Sequence, residues 1–259
     1  MEFSQIIFLL AAGLAVGAVN AVAGGGSLIT FPALLSTGLS QVVANVTNSV
    51  AVSPGYVASV YGSRSDLREL AESRGRRTLV HLLPTVMVGT AIGCTLLLAT
   101  PAAAFRVIVP FLVLGAAAVL AFQTRLRAVV GHPRDMSPRQ RTLSLHLMSG
   151  IGAIYGGYFG AALGVMLVAG LGLVLDESLV RISALKNAIS MVVGLGTVVA
   201  FAIFGHVDWA AVATLAPATL AGGYVGSRVA RRLPPVVLRT VIVTLGTVVG
   251  IILAIKAFG

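Results

Sequence analysis

The sequence predicts an all-α, polytopic integral membrane protein made of two inverted repeats of about five segments each, with short broken or re-entrant helices among about eight to ten membrane segments. Three observations predict it. The 259 residues are 57% hydrophobic and 10% charged, with a mean hydropathy of +0.99, whereas soluble domains carry about 25% charged residues. The second apolar segment of each half is too short to cross a bilayer core of about 30 Å as an untilted helix. The arginine content of equivalent loops also reverses between the halves. Residues 63–77 hold Arg64, Arg68, Arg74, Arg76 and Arg77, while their counterpart, Gly205-His206-Val207-Asp208, holds none.

Residues 4–22 form the first membrane segment. Ala21-Val22-Ala23 mimics a signal-peptide cleavage site, but Met1 to Gln5 carries no positive charge, so the segment is expected to be retained. Gly24, Gly25, Gly26 and Ser27 follow and lead into a short apolar stretch, 26–39. This is the geometry of an anion site at a helix N-terminus, with N–H groups and a capping hydroxyl facing a cavity. A plain tight turn fits the same glycines.

Segment 42–62 places Asn45 and Asn48 on one helical face, with Ser49 beside the second. Two carboxamides in an apolar segment need partners, either a neighbouring helix or a ligand. Pro54 is expected to interrupt this helix and free a carbonyl. After the basic loop, segments 78–98 and 103–122 meet at the uncharged turn Ala99-Thr100-Pro101-Ala102. The first repeat is therefore 1–122, followed by a basic linker, 123–141, with Arg125, Arg127, Arg134, Arg139 and Arg141.

The second repeat, 142–259, has segments 142–160, 162–175, 179–205, 209–227 and 236–257. Gly152, Gly156, Gly160 and Gly164 make a small-residue stripe for close helix packing. Tyr155 lies off that stripe as a candidate for the cavity. Lys186, seven residues into its segment, sits beside Asn187. Laying 46–50 on 185–189 puts Lys186 opposite Thr47. An intramembrane cation is by default functional, here facing an anion, although a lysine at this depth can also snorkel to the interface.

Basic short loops stay on the cytoplasmic side. Loops 63–77, 123–141 and 228–235 are therefore expected in the cytoplasm, with both termini and the 205–208 loop outside. The same clustering accounts for the net charge of +10 without a nucleic-acid surface, for which no aromatic platform or motif is present. The single cysteine, Cys94, excludes an internal disulfide or a cysteine-based metal cluster. No metal-ligand pair, intramembrane carboxylate pair or enzyme motif stands out, so neither catalytic residues nor a cofactor are expected.

Gly17 to Pro32, with its glycine triplet before Ile29-Thr30-Phe31-Pro32, resembles the TauE/SafE family of sulfite and sulfonate transporters. Asn45-Val46-Thr47-Asn48-Ser49, Leu185-Lys186-Asn187 and Asp208-Trp209 extend the resemblance over nearly the whole chain. It implies movement of a small sulfur-containing anion, sulfite or an organosulfonate, across the bilayer. The chain departs from the family at Tyr155-Gly156-Gly157-Tyr158-Phe159-Gly160-Ala161-Ala162, where a second glycine-rich turn is often seen. The expectation is a secondary transporter working by alternating access, its site between the Gly24 to Ser27 turn, Asn45, Asn48, Lys186 and Asn187. An anion channel or a non-transporting scaffold are the alternatives; coupling ion and oligomeric state are left open.

Overall fold

The computed structural model describes residues 3–22, 25–74, 76–122, 125, 137–229 and 235–258, and among these the regular structure is entirely helical. The helices are α1 (Phe3–Val22), α2 (Ser27–Ser36), α3 (Gln41–Gly62), α4 (Arg64–Arg74), α5 (Arg76–Ala99), α6 (Ala102–Ala121), α7 (Pro138–Tyr158), α8 (Leu163–Val174), α9 (Leu179–Phe204), α10 (Trp209–Val229) and α11 (Pro235–Phe258). Each of the ten expected segments is a helix. Four stretches, Phe3–Asn20, Leu79–Ala99, Ala102–Ala121 and Leu179–Phe204, are long and apolar enough to cross a membrane. The helices at the two short segments, α2 and α8, have 10 and 12 residues.

Three expectations are corrected. Residues 63–77, expected as a loop, contain α4, which buries Leu70 and exposes its charged face. Pro54 does not break α3, which runs through it. Proline supplies no N–H to the carbonyl four residues back and strains the next bond, to Ala51; the Thr219 hydroxyl donates to the Ala51 carbonyl at 2.9 Å. Third, the tail of the basic linker is the first turn of α7, where Ser137 and Gln140 form a reciprocal capping box ahead of Pro138. The linker residues 126–136 and loop residues 230–234 lie outside the described residues.

Helices α3 and α9 cross antiparallel at the centre. Thr47 Oγ1 accepts from the Asp208 N–H at 2.9 Å at one end, and Asn187 Nδ2 donates to Ser63 Oγ at 3.1 Å at the other. Between these ends, a Cβ on Gly194 would lie 2.8 Å from Ser53 Oγ. The remaining helices pack in exchanged pairs: α1 on α10 and α7 on α5, α3 on α10 and α9 on α5, with α6 against α11. Small residues make the first two contacts close. A Cβ on Gly17 would lie 2.2 Å from the Thr219 carbonyl oxygen, and one on Gly93 would lie 2.1 Å from that of Ile154.

The expected glycine stripe is broken: Gly152 and Gly156 lie on α7 and face Leu167 and Leu163 of α8, but Gly160 lies in the turn after α7 and Gly164 on α8 itself, while Gly150 and Gly157 face Thr85 and Thr90 of α5. Large apolar side chains such as Phe8, Met87, Phe111, Val199 and Ile255 are exposed, as a lipid-facing surface requires.

Candidate functional site

The chain breaks twice between helices at depth, before α2 and before α8, and both breaks converge on one small cavity. Ser27 from the first break and Gly160 from the second line it, together with Ser49 and Tyr56 of α3 and Gly194 and Thr197 of α9. Its volume is about 10 Å³, room for about one water. The two halves are packed shut here. Phe31 of α2 and Phe159 of the second break seal the contact edge to face, with ring centroids 5.4 Å apart.

Asn20 organises the first break. Its Oδ1 accepts from the N–H groups of Gly25 at 3.2 Å and Gly26 at 2.9 Å. A neutral amide oxygen thus occupies the place where the sequence suggested an anion, at the positive end of the α2 dipole. Gly25 has φ of +153°, which a side chain rarely adopts, and a Cβ on Gly26 would strike Val16 and Asn20 at under 3.0 Å. Gly24 lies outside the described residues. Asn20 Nδ2 is buried without a hydrogen-bond partner among the described residues.

Lys186 meets Asn20 from the other half. Its ammonium, on a side chain only 2% exposed, donates to the Asn20 carbonyl oxygen at 3.0 Å. That position rules out snorkelling. Among the described residues no carboxylate pairs with it; the ion pairs in view are those of Arg181 with Glu69 and Glu177. Lys186 and the glycine turn are therefore joined through Asn20, a residue the sequence reading missed. Its signal was present: a carboxamide, Asn20, near the end of a segment that is apolar from Ile6 onward, four residues before the glycine triplet.

Asn45 and Asn48 form a separate group. Asn48 Oδ1 accepts from the Thr30 hydroxyl of α2, and Asn45 Nδ2 donates to the Tyr158 carbonyl at 2.9 Å, at the end of α7. Asn45 Oδ1 is buried and has no hydrogen-bond partner among the described residues. Along α3, Asn48 and Ser63, the partner of Asn187, are about 20 Å apart at about 1.5 Å per residue. The expected site residues thus fall into separate groups, Asn45 with Asn48, and Lys186 with Asn187, while Ser27 lines the cavity itself.

The N-caps offer a second way to lay one half on the other. Both α3 and α9 begin at a serine N-cap, Ser40 and Ser178, each accepting from the third N–H beyond it. Counted from those caps, Lys186 corresponds to Asn48 rather than to Thr47.

The second break has a single glycine, Gly160, with φ of +74°, where the first has a run of them. Ala162 takes φ of +57°, in the left-handed region that a non-glycine residue enters at a cost of about 1–3 kcal/mol. The Tyr155 hydroxyl donates to the Ala161 carbonyl at 2.6 Å and pins this turn. Tyr155 therefore braces the break in this conformation.

Asn20→Ala is expected to leave the Gly25 and Gly26 N–H groups and the local turn without their acceptor. The expected loss is about 1–3 kcal/mol of stability, read as a lower melting temperature in detergent, with Asn20→Asp retaining the acceptor. An unchanged melting temperature for Asn20→Ala would show that the cap contributes nothing.

Residues 9–253 match the family model described as sulfite exporter TauE/SafE. A probable membrane transporter protein, ORF9, of Sinorhizobium sp is 26% identical over 99% of this chain and 93% of its own length. A probable membrane transporter protein of Haemophilus influenzae is 26% identical over 86% of the chain and 84% of its own. The probable membrane transporter protein YfcA of Escherichia coli is 26% identical over 88% and 79% respectively. No solved structure matches the chain significantly. With the family match running through all but the ends of a helical, apolar chain, this is a multi-pass membrane transporter of the TauE/SafE family.

Proposed function

We propose that the chain is a secondary transporter of a small sulfur-containing oxyanion, sulfite or an organosulfonate, bound at the interface of two inverted repeats. One observation carries the reading: the buried Lys186 ammonium has a carbonyl partner but no counter-charge among the described residues. An unneutralised cation in a low-dielectric interior is costly. An anion arriving beside it supplies the missing charge, and the unpartnered Asn20 Nδ2 and Asn45 Oδ1 mark polar groups with capacity left in the same interface. The family's description as sulfite exporter supports the substrate class.

The packed-shut cavity supports alternating access over a channel. A site with room for about one water admits an anion only when the halves separate. The exchanged pairing of α1, α3 and α5 with α10, α9 and α7 supports the repeats 1–122 and 142–259, joined by the 123–141 linker, and hence the rocking of one half on the other. Uptake of sulfite and small sulfonates into proteoliposomes tests the function. Saturable, exchangeable flux is expected; non-saturating flux identifies a channel, and none with any of these anions removes the substrate class.

The arginine bias of the loops supports a sidedness that labelling can test. A cysteine at His206, in the short exposed α9–α10 turn, is expected to react with an impermeant maleimide from outside, and one at Ser73 of α4 only from inside. The native Cys94 is buried and gives little background. Labelling of both positions from one side would end the inverted topology.

A further inference from the structure

A groove of about 660 Å³ runs between α4, α5 and α9, away from the cavity between the breaks. Its size is that of sites taking a drug-sized ligand, about 300–1,000 Å³. Its walls are apolar, with Leu82, Val86, Leu185 and Ile189 buried at the floor and Val80 and Leu83 exposed along the edge. The edge continues into the lipid-facing surface of α5, at Met87 and Val88, so the groove opens sideways to the bilayer rather than only to water.

The rim is different in character. Arg64, Arg68 and Glu72 of α4 stand there, an excess of one positive charge, and α5 opens with Arg76 and Arg77 immediately before the groove residues Leu79 and Val80. Among the described residues neither Arg64 nor Arg68 has a carboxylate partner. The Arg64 guanidinium lies over the Tyr61 ring, its Cζ 4.4 Å from the ring centre, a cation–π contact that leaves its N–H donors for an acceptor.

We infer that this groove is a binding site for an anionic phospholipid, with an acyl chain along Leu83, Val86 and Ile189 and the phosphate at Arg64 and Arg68. An acyl chain is the solvent that meets a lateral apolar groove in a bilayer, and arginines at the headgroup level select negative charge. A protein partner has less support. The surrounding α5 edge is a continuous lipid-facing surface, and the rim charges sit at one end of it. The bound lipid joins α4 and α5 to the flank of α9, the helix that carries Lys186.

The test is native mass spectrometry of the delipidated full chain in detergent, titrated separately with phosphatidylglycerol, phosphatidylethanolamine and phosphatidylcholine, and with water-soluble glycerol phosphate. Phosphatidylglycerol is expected to bind roughly tenfold more tightly than the other two lipids, and glycerol phosphate not measurably. Arg64→Gln with Arg68→Gln is expected to erase that preference while weak binding of all three lipids persists. Both arginines are exposed, so their loss leaves the helix packing intact. Ala188→Phe, which fills the groove, is expected to reduce binding of every lipid. Equal affinity for the three lipids in the wild type, or an undiminished phosphatidylglycerol preference in the double variant, overturns the proposal. Glycerol phosphate binding as tightly as phosphatidylglycerol also overturns it, by showing an aqueous anion site.

Discussion

Lys186→Met is expected to weaken anion binding by at least about tenfold while leaving the folded protein as stable as the wild type, or more so. The two effects have opposite signs because the ammonium does two things. Against a substrate anion at about 4 Å, a unit charge is worth about 4 kcal/mol at an effective dielectric of about 20, and every 1.4 kcal/mol is about tenfold in affinity. In the absence of an anion the same charge is buried against a single carbonyl, and an apolar side chain of similar length relieves its desolvation. Sulfite binding by calorimetry and melting in the same detergent measure both. If Lys186 served only to tie α9 to the end of α1, Lys186→Met would lower the melting temperature and spare the affinity of whatever folds. Wild-type affinity in a folded Lys186→Met protein would retire it as a substrate residue. Lys186→Arg keeps the charge but brings a larger planar head to a buried position, so reduced binding with altered preference among sulfonates is the expected result.

The second large effect concerns the two close helix pairs. Gly93→Ala places a methyl 2.1 Å from the Ile154 carbonyl oxygen, and Gly17→Ala places one 2.2 Å from that of Thr219. These are backbone atoms, which yield only if whole helices separate. Each substitution is expected to cost about 1–3 kcal/mol or more, lowering the melting temperature and the yield of folded protein. Gly115→Ala is the control. It has nothing within 4 Å of the new methyl, and it is expected to be neutral or slightly stabilising, since alanine is the better helix former. Equal melting of Gly93→Ala and Gly115→Ala would mean that α5 and α7 are not in this close register.

The membrane segments were legible because their signal is cumulative: some twenty apolar residues sum to one statement regardless of detail. The two breaks were legible for the complementary reason that α2 and α8 are too short to span. Helix α4 was hidden because its arginines dominate a topology reading. The apolar positions Leu67, Leu70 and Ala71 are too few to stand out, although at helical spacing they seat it on the core. Pro54 misled because proline's missing hydrogen bond is a local rule, and the hydroxyl of Thr219 that supports Ala51 comes from far along the chain. Lys186 could be picked out as an unusual charge, but not Asn20, whose role depends on two glycine N–H groups and a lysine from the other half. Two registers of α3 on α9 differ by one residue: residue type pairs Asn48 with Asn187, whereas the serine caps, which only the folded helices reveal, pair it with Lys186.

Helix α4 has no counterpart in the four-residue turn between α9 and α10, and it is fastened across the halves by Arg181, held at 3.1 Å from both Glu69 and Glu177. In the alternating access proposed above, two interchangeable halves would have no intrinsic preference for facing one compartment, and a strap on one side would lift that degeneracy. A form opening beneath α4 would strain or release the Arg181 clamp, and the opposite form would leave it intact. The clamp is partly exposed, and salt screens such pairs, so that bias would weaken as ionic strength rises on the α4 side.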